Sequence, residues 1–180
     1  MRIRAARPDE LHLLQGIEDA TGEPFREIGM LEIADDAPPS LEALEEHRRS
    51  GRAWVAVDDN DSPIAYLISE PVDDTEHIAQ VSVHPDAAHQ RIGRALIDHL
   101  AALARRSGVA ALSLTTFTEV PWNAPYYERL GFRVVEEKDL TAGLRKVRAH
   151  EAELGLDRWP RTVMRLDLQP VPSEHPVPMH

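Results

Sequence analysis

The spacing of apolar residues divides this chain into short elements with two different periods. Residues 3–6 read as a first edge strand. Pro8 suits the first turn of a helix to about Ala20, with Leu11, Leu14 and Ile17 on one face. Over residues 21–39 the period is lost, and Phe25, Ile28, Met30, Leu31 and Ile33 lie scattered among acids. Ser40 is placed to cap a helix through Arg49 that Gly51 closes. Residues 53–57 and 64–69 are strand-like, and the turn-rich DDNDSP between them predicts an antiparallel hairpin, with 77–83 as a third strand.

A long helix over 92–106 sets Ile92, Leu96, Leu100 and Leu103 on one face and ends at Gly108. Residues 111–116 return as a strand, and strand, helix, strand in that order predicts a parallel crossover. After the loop TFTEVPWNAP come a short helix over 126–130, stopped by Gly131, and a strand over 132–136. Residues 141–154 are charged and helix-permissive, which fits an inserted surface helix, and the alternation in 162–168 predicts the final strand. The expectation is one α/β (α+β) domain over 1–168, followed by a proline-rich tail from Gln169 expected to be disordered.

The most informative stretch is 80–108: a buried strand, a tight loop carrying Gly93, then the long amphipathic helix. A strand that runs through such a loop into a helix N-terminus gathers unpaired backbone N–H groups, and these suit a diphosphate.

Composition narrows the chemistry. The chain has 180 residues and no cysteine, which excludes disulfides, thiolate metal sites and a thiol acyl-enzyme. The nine histidines are scattered, with no His-Glu-x-x-His spacing, so no metal is expected. No apolar run approaches the ~20 residues needed to cross a bilayer, and the N-terminus lacks a secretory apolar core. No membrane partner is expected, and the cytoplasm is the compatible compartment. A formal net charge of −11 argues against nucleic acid. It mildly favours a cationic partner or substrate, with plain solubility as the other reading.

The order of elements, VSVHP…RIGRALI, and YYERLGF together resemble the GNAT superfamily of acetyl-CoA-dependent N-acetyltransferases over residues 2–168. The resemblance implies a mixed, mostly antiparallel central sheet with flanking helices and one parallel crossover. It also implies acetyl-CoA as co-substrate and a primary amine as acceptor. Val81, Ser82 and Val83 would pair their backbone with the pantetheine arm. The N–H groups of His89, Gln90, Arg91, Ile92, Gly93 and Arg94 would hold the pyrophosphate. Gly93 would allow close backbone approach. The chain departs from the family's Arg/Gln-x-x-Gly-x-Gly/Ala pattern at Ala88 and Arg91, which changes side chains but keeps the N–H donors; Arg91 either adds a cation near phosphate or is simply solvated.

Tyr127 aligns with the family's Tyr-x-x-x-Gly-Phe signature and would protonate the departing thiolate. Tyr126 points about 100° away and reads as core or substrate wall. Asn123 has two open roles, contact with the cofactor and capping of the short helix. Trp122 either lines the acceptor pocket or packs. Ser113 stands where some relatives carry a glutamate, so Glu119 is the first candidate for the general base, with Glu76 and His77 as rivals. His84 and His99 are expected to be structural. Glu23 and Glu27 are placed to attract a cationic substrate. The resemblance leaves a homodimer open. Two other functions also stand: a non-catalytic acyl-CoA-binding module, and a transferase acting on a protein N-terminus or lysine, with the peptide between residues 21–39 and the loops near Trp122 and 137–140.

Overall fold

The computed structural model describes residues 1–170, so most of the tail expected to be disordered lies outside the described residues. The chain builds strands β1 (Arg2–Ala5), β2 (Ala53–Val57), β3 (Pro63–Val72), β4 (Thr75–Val83), β5 (Ala111–Phe117), β6 (Arg133–Val135) and β7 (Arg161–Asp167). They form one sheet in the order β1-β2-β3-β4-β5-β7-β6. Every pairing is antiparallel except β4 with β5. The crossover that makes this pair parallel is helix α5 (Ile92–Arg106). Fold class and crossover are therefore as the sequence implies.

Polar and apolar alternation decides which helix covers which face. Leu67, Ile78, Leu112 and Leu114 face α5 and bury Leu96, Ile97 and Leu100 in the main core. On the opposite face Val55, Val57, Tyr66 and Ile68 receive α1 (Leu11–Ala20) and α4 (Leu41–Arg49) through Leu14, Ile17 and Leu44. Ser40 caps α4, its hydroxyl accepting from the Ala43 N–H at 3.1 Å, as expected.

Several boundaries differ from the sequence reading. Pro8 does not open α1, which starts at Leu11. The Glu10 carboxylate instead accepts from the Arg7 N–H at 2.9 Å and is gripped by Arg4, which closes a turn ahead of the helix. The aperiodic segment contains two short helices, α2 (Glu23–Glu27) and α3 (Leu31–Ala34). β3 and β4 are longer than the apolar runs and meet in a tight turn, with Asp73 in the left-handed region at φ 53°. Helix α6 spans Ala124–Arg129. Helix α7 (Ala142–Glu153) is no mere surface insert: Leu144 and Glu151 are buried, and Leu144 packs with Val135 and Val163 against β6 and β7.

Candidate active site

β4 has a neighbour on both edges for only its first three residues. Thr75, Glu76 and His77 pair with Ala111, Leu112 and Ser113 of β5, and the ladder stops there. The other edge stays paired with β3 as far as Val83 opposite Ala65. A bulge marks the break: Ile68 faces Gln80 and Ser69 faces Ile78, which leaves Ala79 unmatched and exposed. A bulge increases local twist and bends the strand, so β4 turns away from β5 and opens a gap in the sheet. The N–H and C=O groups on this edge of Val81, Ser82 and Val83 have no strand to pair with.

The open edge leads into the loop before α5. Asp86 N–H donates to His84 Nδ1 at 3.1 Å, which fixes a short 3-10 turn, so His84 is structural. His89 and Arg91 then take left-handed conformations at φ 62° and 59°. Arg91, where the family pattern has glycine, is thus held in a conformation that costs a non-glycine residue about 1–2 kcal/mol. It is also the N-cap of α5 and provides no side-chain cap. The contrast with α4 and α7 is informative, because Ser40 and Thr141 cap those helices. The first N–H groups of α5, on Ile92, Gly93 and Arg94, are left for another acceptor.

Side chains divide the labour around these donors. His89, Gln90, Arg91 and Arg94 are exposed, whereas Ile92 is buried in the main core and offers only its N–H. A Cβ on Gly93 would lie 3.3 Å from the Tyr126 hydroxyl and 3.7 Å from Val83 Cγ2. Glycine therefore also lets Tyr126 close over the start of α5. Gly93→Val is expected to push the Tyr126 ring aside and weaken acetyl-CoA binding by about tenfold, measured by calorimetry with unfolding monitored in parallel.

One apolar cluster joins Val81, Val83, Ile92 and Tyr127, so open strand, loop and α6 form one unit. The Tyr127 ring packs edge-on to Tyr126 and Phe132 at 5.3 and 5.8 Å. Burial, with the neighbouring Tyr126 adding to it, raises its phenol well above the usual value, and no hydrogen bond enters the balance. Asn123 does not cap α6 with its side chain. Its Oδ1 accepts from Thr116 Oγ1 at 2.8 Å and weakly from the Phe117 N–H at 3.4 Å, tying the loop back to β5.

The sequence-derived bases fare differently. Glu119 is exposed on the loop after β5 and is not drawn into this cluster. Glu76 is buried and accepts from Arg52 Nε and Ser69 Oγ, both at 2.8 Å. His77 is buried with Nδ1 2.8 Å from Ser113 Oγ, which in turn meets Thr75 Oγ1 at 2.7 Å. Burial pushes the His77 imidazole down to about 4, with Glu151 opposing the shift. It is neutral in the fold at pH 7, while the unfolded chain takes up a proton near 6.5. As pH falls from 6.5 towards 4, His77 therefore withdraws roughly 3 kcal/mol of stability. Urea unfolding of wild type and His77→Gln between pH 7 and 4.5 is expected to show that share missing from the variant.

His99 packs edge-on to Trp54 at 4.5 Å, the structural role expected. Glu23 and Glu27 are exposed on α2. Trp122 meets Phe25 at 5.4 Å, and Phe25 meets Phe117 at 6.1 Å, so the aperiodic segment folds onto the loop after β5. Among the described residues no helix is long and apolar enough to cross a membrane, and no group of three His, Asp or Glu side chains gathers to hold a metal.

Sequence reasoning missed one group on this face. Glu18 of α1 accepts from Tyr66 Oη at 2.8 Å, Ser82 Oγ at 2.5 Å and Gln80 Nε2 at 3.0 Å. The signal was present, since Tyr66 and Ser82 are polar residues at inward positions of strands that are otherwise apolar there.

Known proteins share this fold. Residues 14–132 match the model of the acetyltransferase (GNAT) family. The fold is shared with the ribosomal-protein-S18-alanine N-acetyltransferase of Escherichia coli, 21% identical, with a TM-score of 0.65 over 98% of this chain and 99% of that one. It is shared also with a GNAT-family acetyltransferase of Staphylococcus aureus, 16% identical, with a TM-score of 0.70 over 93% of this chain and 99% of the other. N-acetylglutamate synthase of Neisseria gonorrhoeae, solved with coenzyme A and N-acetyl-glutamate, is 18% identical, with a TM-score of 0.68 over 93% of this chain and 35% of its own. The chain belongs to the GNAT acetyltransferase family, acyltransferases that use acetyl-CoA.

Proposed function

We propose that the enzyme transfers the acetyl group to a primary amine by direct attack in a ternary complex. The observation that carries this reading is the free edge of β4 leading into the uncapped start of α5. The edge residues Val81, Ser82 and Val83 pair with the pantetheine amides as an added strand would. The N–H groups of His89 to Arg94 take the pyrophosphate. Asn123 braces the start of the helix that carries Tyr127 against β5, and its remaining amide donors are offered to the arm.

In the reaction the amine lone pair forms a bond to the thioester carbonyl carbon, and the carbon–sulfur bond breaks. Backbone N–H groups near Val83 stabilise the charge that develops on the carbonyl oxygen. Tyr127 gives its proton to the departing sulfur and is reprotonated as the nitrogen loses its own. The ammonium loses one proton before attack, and Glu119, exposed on the loop after β5, relays it through water to solvent. One proton is released per turnover of a protonated amine.

The contacts of Phe25 with Trp122 and Phe117 support a small acceptor over a peptide, because they bridge the two segments that a peptide would have to separate. Calorimetry with acetyl-CoA, followed by free-thiol release with a panel of primary amines, tests the reading. Saturable heat and amine-dependent thiol are expected. No heat at millimolar acetyl-CoA overturns the cofactor half. Binding with no thiol release from any amine leaves a non-catalytic acyl-CoA module.

A further inference from the structure

We infer that Glu18 is the anionic seat that receives the acceptor's ammonium group. This rests on the amine-acceptor reading above and names the residue that selects a cationic amine.

The buried carboxylates of this protein have arginine partners: Glu10 has Arg4, Glu76 has Arg52, and Glu151 has Arg148 and Arg161. Glu18 has none among the described residues. The groups that face it are Tyr66 from β3, Gln80 and Ser82 from β4, and Asp19 on its own helix. Three neutral donors keep such a carboxylate hydrogen-bonded without cancelling its charge. Burial pushes Glu18 above the usual carboxylate value, and the hydrogen bonds from Ser82, Tyr66 and Gln80 pull against that. A desolvated charge that is hydrogen-bonded but unpaired gains from an incoming cation more than an exposed one does.

Position supplies the second argument. Gln80, which donates to both Glu18 oxygens at 3.0 and 3.2 Å, directly follows the bulge at Ala79. An extended arm that enters at α5 and follows Val83, Ser82 and Val81 inward ends at that bulge. Glu18 itself is only partly buried, so the site stays open to a ligand. Across the gap, β5 presents Ser113 and Thr115 on the face that carries His77, and Thr115 Oγ1 donates to Glu151 at 2.7 Å. Glu151 is already neutralised by arginine, whereas Glu18 has no cation beside it among the described residues. A net charge of −11 draws a cationic acceptor towards it.

The test uses full-length wild type, Glu18→Gln, Glu18→Asp and Tyr66→Phe. With the best amine of the panel, Glu18→Gln is expected to lose roughly 10- to 100-fold in kcat/KM, carried by KM. The acid limb of the pH profile flattens in this variant, since only the ionised carboxylate holds the ammonium. Glu18→Asp keeps the charge and recovers part of the loss. Tyr66→Phe removes a donor from the ionised form, so its acid limb moves to higher pH. A purely structural Glu18 moves none of these pH signatures. A Glu18→Gln variant that folds, with kcat/KM within about twofold of wild type and the same acid limb, overturns the inference and leaves the amine reading intact. A second arm needs no turnover: the Glu18 carboxyl carbon, assigned by its loss in Glu18→Gln, is followed by NMR with n-butylammonium. A saturable fall in its titration midpoint is expected, and an unmoved resonance overturns the proposal. Wild type that acetylates no amine instead sinks the underlying reading.

Discussion

Tyr127→Phe is expected to lower kcat by about 10²- to 10⁴-fold while acetyl-CoA binds as before. The phenyl ring of the variant keeps the edge contacts with Tyr126 and Phe132, so packing is preserved. What is lost is one hydroxyl, with no protein partner to be stranded by its removal. Burial holds its proton at higher pH than an ordinary phenol would, so kcat shows no alkaline loss from this group up to about pH 9. The proton moves only when the sulfur carries charge. Tyr126→Phe is the informative comparison. Its hydroxyl stands over Gly93 at the start of α5, so its removal bears on acetyl-CoA affinity rather than on turnover. Stopped-flow thiol release with saturating donor separates the two. Turnover in Tyr127→Phe within about threefold of wild type removes the general-acid role.

The parts of this site that were legible in the sequence depend on local pattern. An amphipathic period reveals α5, and the family-like VSVHP and YYERLGF segments mark the strand and the tyrosine. The donors themselves are backbone groups, so Ala88 and Arg91 could depart from the family pattern without removing them. What the sequence hid depends on pairings between distant residues. The bulge at Ala79 is set by the register of β4 on β3, and nothing in ISEPVDDTEHIAQ announces it. Glu18 looks like any solvated helix acid until the fold brings Tyr66, Gln80 and Ser82 to it, 48, 62 and 64 residues later. Glu76 and His77 had the right residue types for a base, but Arg52, Ser69 and Ser113 occupy them, and only the tertiary pairing shows that. Helix α7 read as a surface element because its charged residues suggest solvent, yet Glu151 is buried by an arginine that arrives on the next strand.

That arginine carries the largest expected effect on stability. Arg161→Met is expected to cost about 3–5 kcal/mol in urea unfolding. Arg161 Nη2 donates to Glu151 at 2.5 Å and to Thr115 Oγ1 at 3.0 Å, and its guanidinium lies 4.4 Å from the Phe117 ring centroid. Both charged side chains are about nine-tenths buried. Burial lowers the Arg161 guanidinium while Glu151 raises it, and Nε is buried with no partner. The pair is therefore costly to bury and costlier to split. Methionine fills the volume over Phe117 but leaves Glu151 with the neutral Thr115 hydroxyl at 2.7 Å and, as its remaining cation, the longer contact to Arg148 at 3.4 Å. Removing both charges in Arg161→Met/Glu151→Leu should return most of the loss, since a buried ion pair contributes little beyond an apolar isostere. The double variant frees Thr115 on the face of the gap without touching the open edge of β4, so acetyl-CoA affinity is the parallel readout. A single variant that costs less than about 1 kcal/mol would mean that water reaches Glu151 and that the pair is not sealed.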